Sequence, residues 1–190
     1  MIFKKILLII FLELSLFANS VYNSNILDLQ AKVFPKIILL DNNFEDKLIK
    51  NIAVITILYE EIDYNIAETL KEIKQCGIRA GIVLNPETSA EVLTEEIWKL
   101  ADVIQVMTVH PGRDGQHFIE DTLDKIKDIR RRSTDTGEWK DIEVDGSINC
   151  GNIGKVIKAG ANIIVSGKAL FNGNLAENIA NMKQQAAMEE

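Results

Sequence analysis

Short apolar runs alternate with amphipathic segments along most of this chain. The apolar runs predict strands at Ile37–Leu40, Val54–Leu58, Ala80–Leu84, Val103–Val109, Ile142–Val144 and Ile163–Val165. The amphipathic segments predict helices at Phe44–Lys50, Ile66–Gln75, Ala90–Leu100, Ile119–Arg132, Asn152–Lys158 and Leu175–Gln185. Apolar strands separated by helices indicate a parallel sheet that is buried on both faces. Six units of about 26 residues each favour a (β/α)₈-type TIM barrel whose first quarter is degenerate or incomplete.

The first twenty residues follow a different pattern. Lys4 and Lys5 precede an apolar run, Ile6–Phe17, and the small residues Ala18-Asn19-Ser20 come next. This layout is typical of a secretory signal. A hydrophobic first strand is the alternative, and a membrane anchor is the third, although Glu13 would be unfavourable at the bilayer centre. We therefore expect a signal-like segment at residues 1–20 and one barrel domain at residues 21–190, with no stable membrane span.

Composition narrows the class of protein. The chain has 190 residues, of which 47% are hydrophobic and 26% charged, as in a globular domain. A net charge of −7 argues against a nucleic-acid partner. Cys76 and Cys150 form neither a disulfide framework nor a zinc spacing, so we expect them to be buried or half-buried. The one basic run, Arg130-Arg131-Arg132, is expected to be a solvated helix terminus.

The stretch from Asp141 to Asn149 carries the clearest sign of chemistry. Ile142 and Val144 alternate with acidic residues, which predicts a short strand that ends at Asp145. Gly146 and Ser147 then begin a turn. A carboxylate at a strand end, next to a glycine that frees backbone N–H groups, places an acid beside a bound phosphate.

Glycine-bearing turns follow three successive predicted strands. They are His110-Pro111-Gly112-Arg113-Asp114-Gly115-Gln116-His117-Phe118, Asp145-Gly146-Ser147 and Ser166-Gly167-Lys168. In a parallel barrel such turns emerge on one face, at the carboxyl ends of the strands. N–H groups of the last two turns would suit a phosphate. His110 and His117 flank the first turn, and we expect them to be structural or exposed.

Several segments together resemble the ribulose-phosphate 3-epimerase family, which includes the allulose-6-phosphate 3-epimerases. These segments are Gly81–Thr88, Val106–Gly112, Gly115–Phe118, Ile142–Ser147, Asn149, Ala159–Ala161 and Val165–Gly167. They occur in order over about residues 70 to 175. Asn85–Thr88, Asp145–Ser147 and Leu170–Asn172 look somewhat closer to the allulose-phosphate branch.

The resemblance implies an isomerase that abstracts the C3 proton of a ketose phosphate and returns a proton to the opposite face. It also implies a divalent metal, zinc or similar, that holds the enediolate oxygens. Asp145 matches the family's acid on the seventh strand, which is both the proton donor and a metal ligand. The substrate and phosphate positions are matched by Gly112, Arg113, Asp114, Gly115, Gly146, Ser147, Gly167 and Lys168.

The sequence departs from the family pattern at the other metal positions. Ile38 and Leu58 stand where histidines are expected, and Ile26 replaces another. Asp28 is a candidate partner acid, although an Asp in this context is expected more often to be a turn or surface residue. Two carboxylates without imidazole would make a poor zinc site. In the phosphate loop, Arg113-Asp114 replaces a Phe-Gly pair, and Lys168 replaces a small hydroxyl residue.

We therefore expect a 3-epimerase that interconverts D-ribulose 5-phosphate and D-xylulose 5-phosphate. The alternatives are a D-allulose-6-phosphate 3-epimerase, a catalytically dead phosphosugar-binding relic, and a truncated product whose barrel cannot close. The expected partner is a small sugar phosphate, and a homo-oligomer is kept open. The implied function indicates a cytoplasmic protein, whereas the signal-like N-terminus leaves export open.

Overall fold

Six parallel strands form one sheet in the computed structural model, which describes residues 7–10, 54–62, 65–112 and 115–188. The strands are β1 Leu7–Ile10, β2 Val54–Leu58, β3 Arg79–Leu84, β4 Val103–Met107, β5 Asp141–Asp145 and β6 Ile163–Ser166. Their order across the sheet is β1-β6-β5-β4-β3-β2. Strands β2 to β6 therefore lie side by side in chain order, and β1 pairs with β6.

The helices lie between these strands and after the last one. They are α1 Ile66–Gln75, α2 Glu95–Leu100, α3 Thr122–Asp135, α4 Ile153–Ala159, α5 Lys168–Phe171 and α6 Leu175–Ala187, with 3₁₀ turns at Tyr59–Glu61 and Ala90–Val92. Gly77 and Gly160 have φ of +74° and +118° and follow helix ends, where glycine adopts the left-handed conformation without strain. The single helix predicted over Ala90–Leu100 is wrong. The side chain of Thr94 accepts a hydrogen bond from the N–H of Ile97 and starts a separate helix.

All these helices pack on one face of the sheet. The main buried cluster joins every second strand residue, such as Ile82, Ile104 and Ile142, to the helix residues Leu70 and Ile126. The intervening strand residues point to the opposite face, here called the inner face. The buried polar side chains of Thr56, Gln105 and Glu143 lie there. A parallel sheet covered by its helices on one face alone is the barrel arrangement, which confirms the expected fold.

The N-terminal segment contributes a strand. Leu7 pairs with Ile163, and Ile10 pairs with Ser166, in parallel register. Residues 7–10 therefore form a strand, which was the alternative interpretation of this segment. The signal-like interpretation of residues 1–20 stays a prediction. The predicted strand Ile37–Leu40 and helix Phe44–Lys50 lie outside the described residues. Within the described ranges, no helix is long and apolar enough to cross a membrane.

The basic run on α3 is not the solvated terminus that we expected. The guanidinium of Arg130 donates to Gly160 O at 2.9 Å, Lys140 O at 3.0 Å and Asn162 Oδ1 at 3.0 Å. It also lies 4.1 Å from the ring centroid of Trp139. Arg132 lies 4.3 Å from the ring centroid of Trp98, and only Arg131 extends into solvent.

Asp141 extends this arrangement at the amino end of β5. Burial would raise the pKa of Asp141, but hydrogen bonds from Arg79, Asn162 and Trp139 outweigh it and hold the pKa below its ordinary value. Asn162 Oδ1 also accepts from the N–H of Ile142 at 2.8 Å. We call Arg79, Arg130, Trp139, Asp141 and Asn162 the basal network. It fixes the end of β5 opposite to Asp145.

The two cysteines contradict the sequence expectation, because both are exposed. Cys76 follows the end of α1, and Cys150 lies in the turn before α4. Both are exposed because each lies at a helix boundary, where the backbone runs at the surface of the protein.

Candidate functional site

Asp145 is the last residue of β5 and lies on the inner face at the carboxyl edge of the sheet. Its register partners are Met107 on β4 and Val165 on β6. The carboxylate is half-buried and accepts a hydrogen bond from Gln105 Nε2 at 3.4 Å. The edge therefore presents a half-buried carboxylate between two apolar neighbours.

The turn after Asp145 needs glycine at its first position. Gly146 has a φ of +135°, and a Cβ there would lie 2.7 Å from Val109 N and 2.8 Å from Thr108 Oγ1. The hydroxyl of Thr108 donates to Gly146 O at 2.6 Å, and its N–H donates to Asp145 O at 2.8 Å. These contacts lock the turn to the end of β4.

Ser147 is held in a backbone conformation that suits glycine better. Its φ is +54°, the left-handed region that side chains disfavour. The amides of Asn149 and Asn152 each donate to Ser147 O at 3.0 Å. The Ser147 hydroxyl donates to Gln116 O at 2.5 Å. These hydrogen bonds thus hold Ser147 in a strained backbone conformation. Residues held in this way are often found at ligand sites.

The loop after β4 is closed by Gln116. Its side chain accepts from the N–H of His110 at 3.2 Å and donates to His110 O at 2.6 Å. Gly112 and Gly115 are exposed, with φ of +78° and +75°. Arg113 and Asp114, predicted to bind substrate, lie outside the described residues. Because Gln116 also meets Ser147, the first two glycine turns form one connected surface.

The third turn lies on the neighbouring strand. Gly167 follows β6 and is half-buried, and Lys168 begins α5 with an exposed side chain. Gly167 has a φ of −110°, and a Cβ there would meet nothing within 4 Å among the described residues. Its ψ is −85°, which with this φ lies outside the main regions that residues with a side chain occupy, so the backbone itself suits glycine here. The open space beside Gly167 would also let a ligand approach the backbone closely.

Asn85–Thr88 forms the wall on the β3 side. Lys125 on α3 donates to Asn85 O at 2.5 Å and Pro86 O at 2.9 Å, and burial lowers the pKa of this lysine. His110 Nδ1 lies 2.8 Å from Glu87 Oε1. His110 and His117 are both exposed, as expected from their sequence context. The contact of His110 with Glu87 joins two loops at this edge of the sheet.

The described residues do not fit a metal ion. The amide of Gln105 contacts Asp145, and Met107 is its register partner on β4; an amide and a thioether are weak ligands for a divalent cation. Within the part of the chain that the structure describes, no three His, Cys, Asp or Glu side chains lie close enough to hold an ion. Leu58 ends β2 with an apolar side chain. Asp28, the predicted partner acid, lies outside the described residues.

Two residues of this region were missed from sequence. Gln105 contacts Asp145, and Gln116 joins the turns. Gln105 had a visible signal, because it is the single polar residue of the apolar strand Val103–Met107. Gln116 lies in Gly115–Phe118, one of the segments that resemble the family, but its own side chain gave no separate signal, since a polar residue in a glycine-rich loop is ordinary.

Comparisons with known proteins agree with this arrangement. A model described as "Ribulose-phosphate 3 epimerase family" matches residues 24–171. The ribulose-phosphate 3-epimerase of Escherichia coli strain K12 is 42% identical over 120 residues, 63% of this chain and 53% of that protein. The Bacillus subtilis strain 168 protein of the same name is 40% identical over 121 residues, 63% of this chain and 55% of that one.

The chain thus spans about half the length of the curated relatives that it matches. A crystal structure of 3-hexulose-6-phosphate synthase aligns with a TM-score of 0.52 at 18% identity, covering 70% of this chain and 61% of that chain. This structural likeness supports the barrel fold alone. The family model covers most of the sequence and includes β2 to β6 with their turns, and the chain therefore belongs to the ribulose-phosphate 3-epimerase family.

Proposed function

We propose that this chain is a ketose-phosphate 3-epimerase that interconverts D-ribulose 5-phosphate and D-xylulose 5-phosphate. The observation that carries the proposal is the carboxylate of Asp145 at the sheet edge, beside turns from three adjacent strands. Relatives at 40–42% identity that are named ribulose-phosphate 3-epimerase support the same activity. A cytoplasmic location is proposed only together with this activity.

In this proposal Asp145 transfers the proton at C3. Its carboxylate takes the C3 proton from one face of the sugar, and the C–H electrons move into the C2 carbonyl to give an enediolate. An acid on the other face returns a proton to C3, which inverts the centre. Asp28 is our candidate for that acid. The same two groups exchange roles in the reverse direction.

The phosphate would be held by backbone and side chains of the three turns. Gly146, Ser147 and Gly167 supply backbone N–H groups, and Gly167 leaves room for close approach. Lys168 supplies a cation, because its exposed side chain starts at the same turn. We also assign Gly112, Arg113, Asp114 and Gly115 to the substrate loop.

No step above uses a metal ion, because the described residues do not fit one. A divalent ion, zinc or similar, stays a prediction for this chain, and so does a homo-oligomer. Metal-added samples and light scattering of the purified protein test these two points separately.

The activity is tested by exchange of the C3 proton with D₂O, followed by ¹H NMR on ribulose 5-phosphate. The assay is run without metal and with zinc, cobalt, iron or manganese. Asp145→Asn should slow exchange by about 10²-fold or more. Asp141→Asn is the matched control, because it makes the same change at the opposite end of β5. Unchanged exchange in Asp145→Asn, or no exchange in any sample, would refute the proposal.

A further inference from the structure

The side-chain amide of Gln105 is fully buried in β4, a strand whose other residues are all apolar. Gln105 lies on the inner face, and its register partner on β5 is Glu143. Asp145 is two residues further along β5 on the same face, a diagonal distance that a long side chain can span.

The contacts of the amide are few and specific. Gln105 Nε2 lies 3.4 Å from Asp145 Oδ2 and 3.5 Å from Met107 Sδ. Gln105 Oε1 is buried and has no hydrogen-bond partner among the described residues. An unpaired buried carbonyl destabilises a fold, whereas an apolar side chain of similar volume would not. The unpaired carbonyl therefore gives no reason for glutamine at this position, which leaves the contact of the amide N–H with Asp145 as the reason.

We propose that Gln105 is a positioning residue that holds the carboxylate of Asp145 for proton transfer. Its N–H donates to Asp145 when that group is charged. Rotation of the amide by 180° brings Oε1 to the same place, where it accepts from the protonated acid. One side chain thus serves both states of a group that must gain and lose a proton in each cycle. The catalytic part of this inference rests on the proposed function, whereas the contact itself does not.

The contact is tested first, without activity. The full chain is labelled with ¹⁵N-glutamine, and the side-chain amide signals of Gln105 are assigned by their loss in Gln105→Met. These signals should move in Asp145→Asn and stay in place in Asp141→Asn. Unchanged Gln105 signals in Asp145→Asn would overturn the inference.

Kinetics test the role in the reaction. Gln105→Met should lower kcat by about tenfold, as loss of an outer contact to a functional carboxylate does, with KM within twofold. Thr56→Val is the matched control. It removes a buried hydroxyl from β2 on the same inner face of the sheet, and it should change neither kcat nor KM.

A rise in KM with unchanged kcat in Gln105→Met would overturn the positioning role. Epimerase activity that is absent from the wild-type chain itself would overturn the proposed function instead. In that case the amide signals still decide whether Gln105 holds Asp145.

Discussion

Replacing Arg130 by methionine should destabilise the protein far more than the same change at Arg131, its neighbour. Methionine keeps most of the stem and removes the guanidinium, which donates three hydrogen bonds at 2.9 to 3.0 Å. A hydrogen bond from a charged donor contributes about 1.5–3 kcal/mol. Arg130 is only half-buried, so water can replace part of this.

Two features set the expected size. The carbonyl of Lys140 belongs to a buried residue, and leaving it unpaired costs about 1–3 kcal/mol. Loss of the contact with Trp139 adds about 0.5–1 kcal/mol. We therefore expect Arg130→Met to lower the free energy of unfolding by about 3 kcal/mol, and Tm by roughly 6–12 °C.

Urea unfolding followed by circular dichroism and tryptophan fluorescence measures this difference. Trp139 is a direct reporter, since it packs against Arg130. Arg131→Met is the matched control: its side chain is 72% exposed and pairs with the exposed Asp128, so a change within about 0.5 kcal/mol is expected. Equal effects in the two variants would refute the reasoning. Arg130→Lys should recover little, because one ammonium cannot reproduce the planar fork.

Three further predictions concern the two ends of β5. Gly146→Ala should lower stability by about 2–4 kcal/mol, measured by calorimetry, because its Cβ would clash with the backbone N of Val109. Asp141→Asn should lower stability at neutral pH, and its difference from wild type should shrink below about pH 4 in acid titrations. Ser147→Gly should unfold within about 0.5 kcal/mol of wild type, whereas Ser147→Ala should lose about 1 kcal/mol, by urea titration.

The physical reasons for the last two follow from the structure. A carboxyl whose pKa is lowered in the fold stabilises above its unfolded value and loses that effect as pH falls through the folded value. Asp124→Asn, at an 82% exposed side chain, should leave the acid limb unchanged. For Ser147, glycine relieves the positive φ while losing the hydroxyl bond, and alanine only loses the bond. Equal stability of the two Ser147 variants would contradict this.

Sequence patterns located the strands that end at the site because each is a short apolar run between turn residues. Val54–Leu58 and Ile66–Gln75 were placed to the residue. The spacing of apolar residues predicted one helix from Ala90 to Leu100 because it takes no account of a helix-capping hydroxyl such as that of Thr94. The period of apolar residues shows which face of an element is apolar. It does not show where a side chain hydrogen-bonds the backbone and so ends or starts a helix.

The long-range contacts of side chains could not be predicted from the sequence. Arg130 appeared as one of three surface arginines, yet its partners, such as Gly160 and Asn162, are far along the chain. The position of Asp145 at the carboxyl end of β5 was predicted because a strand end and a glycine turn define it locally. Its contact with Gln105 depends on the register of two strands, which no single-strand pattern contains.

The pairing of β1 with β6 sets an order of events during folding. Leu7 must meet Ile163 across most of the chain, whereas β2 meets β3 through one intervening helix. Loop closure becomes more costly with chain length, and distant pairings form more slowly than local ones. The block from β2 to β6 should therefore assemble first, and β1 should join a sheet that already carries Asp145 and its turns.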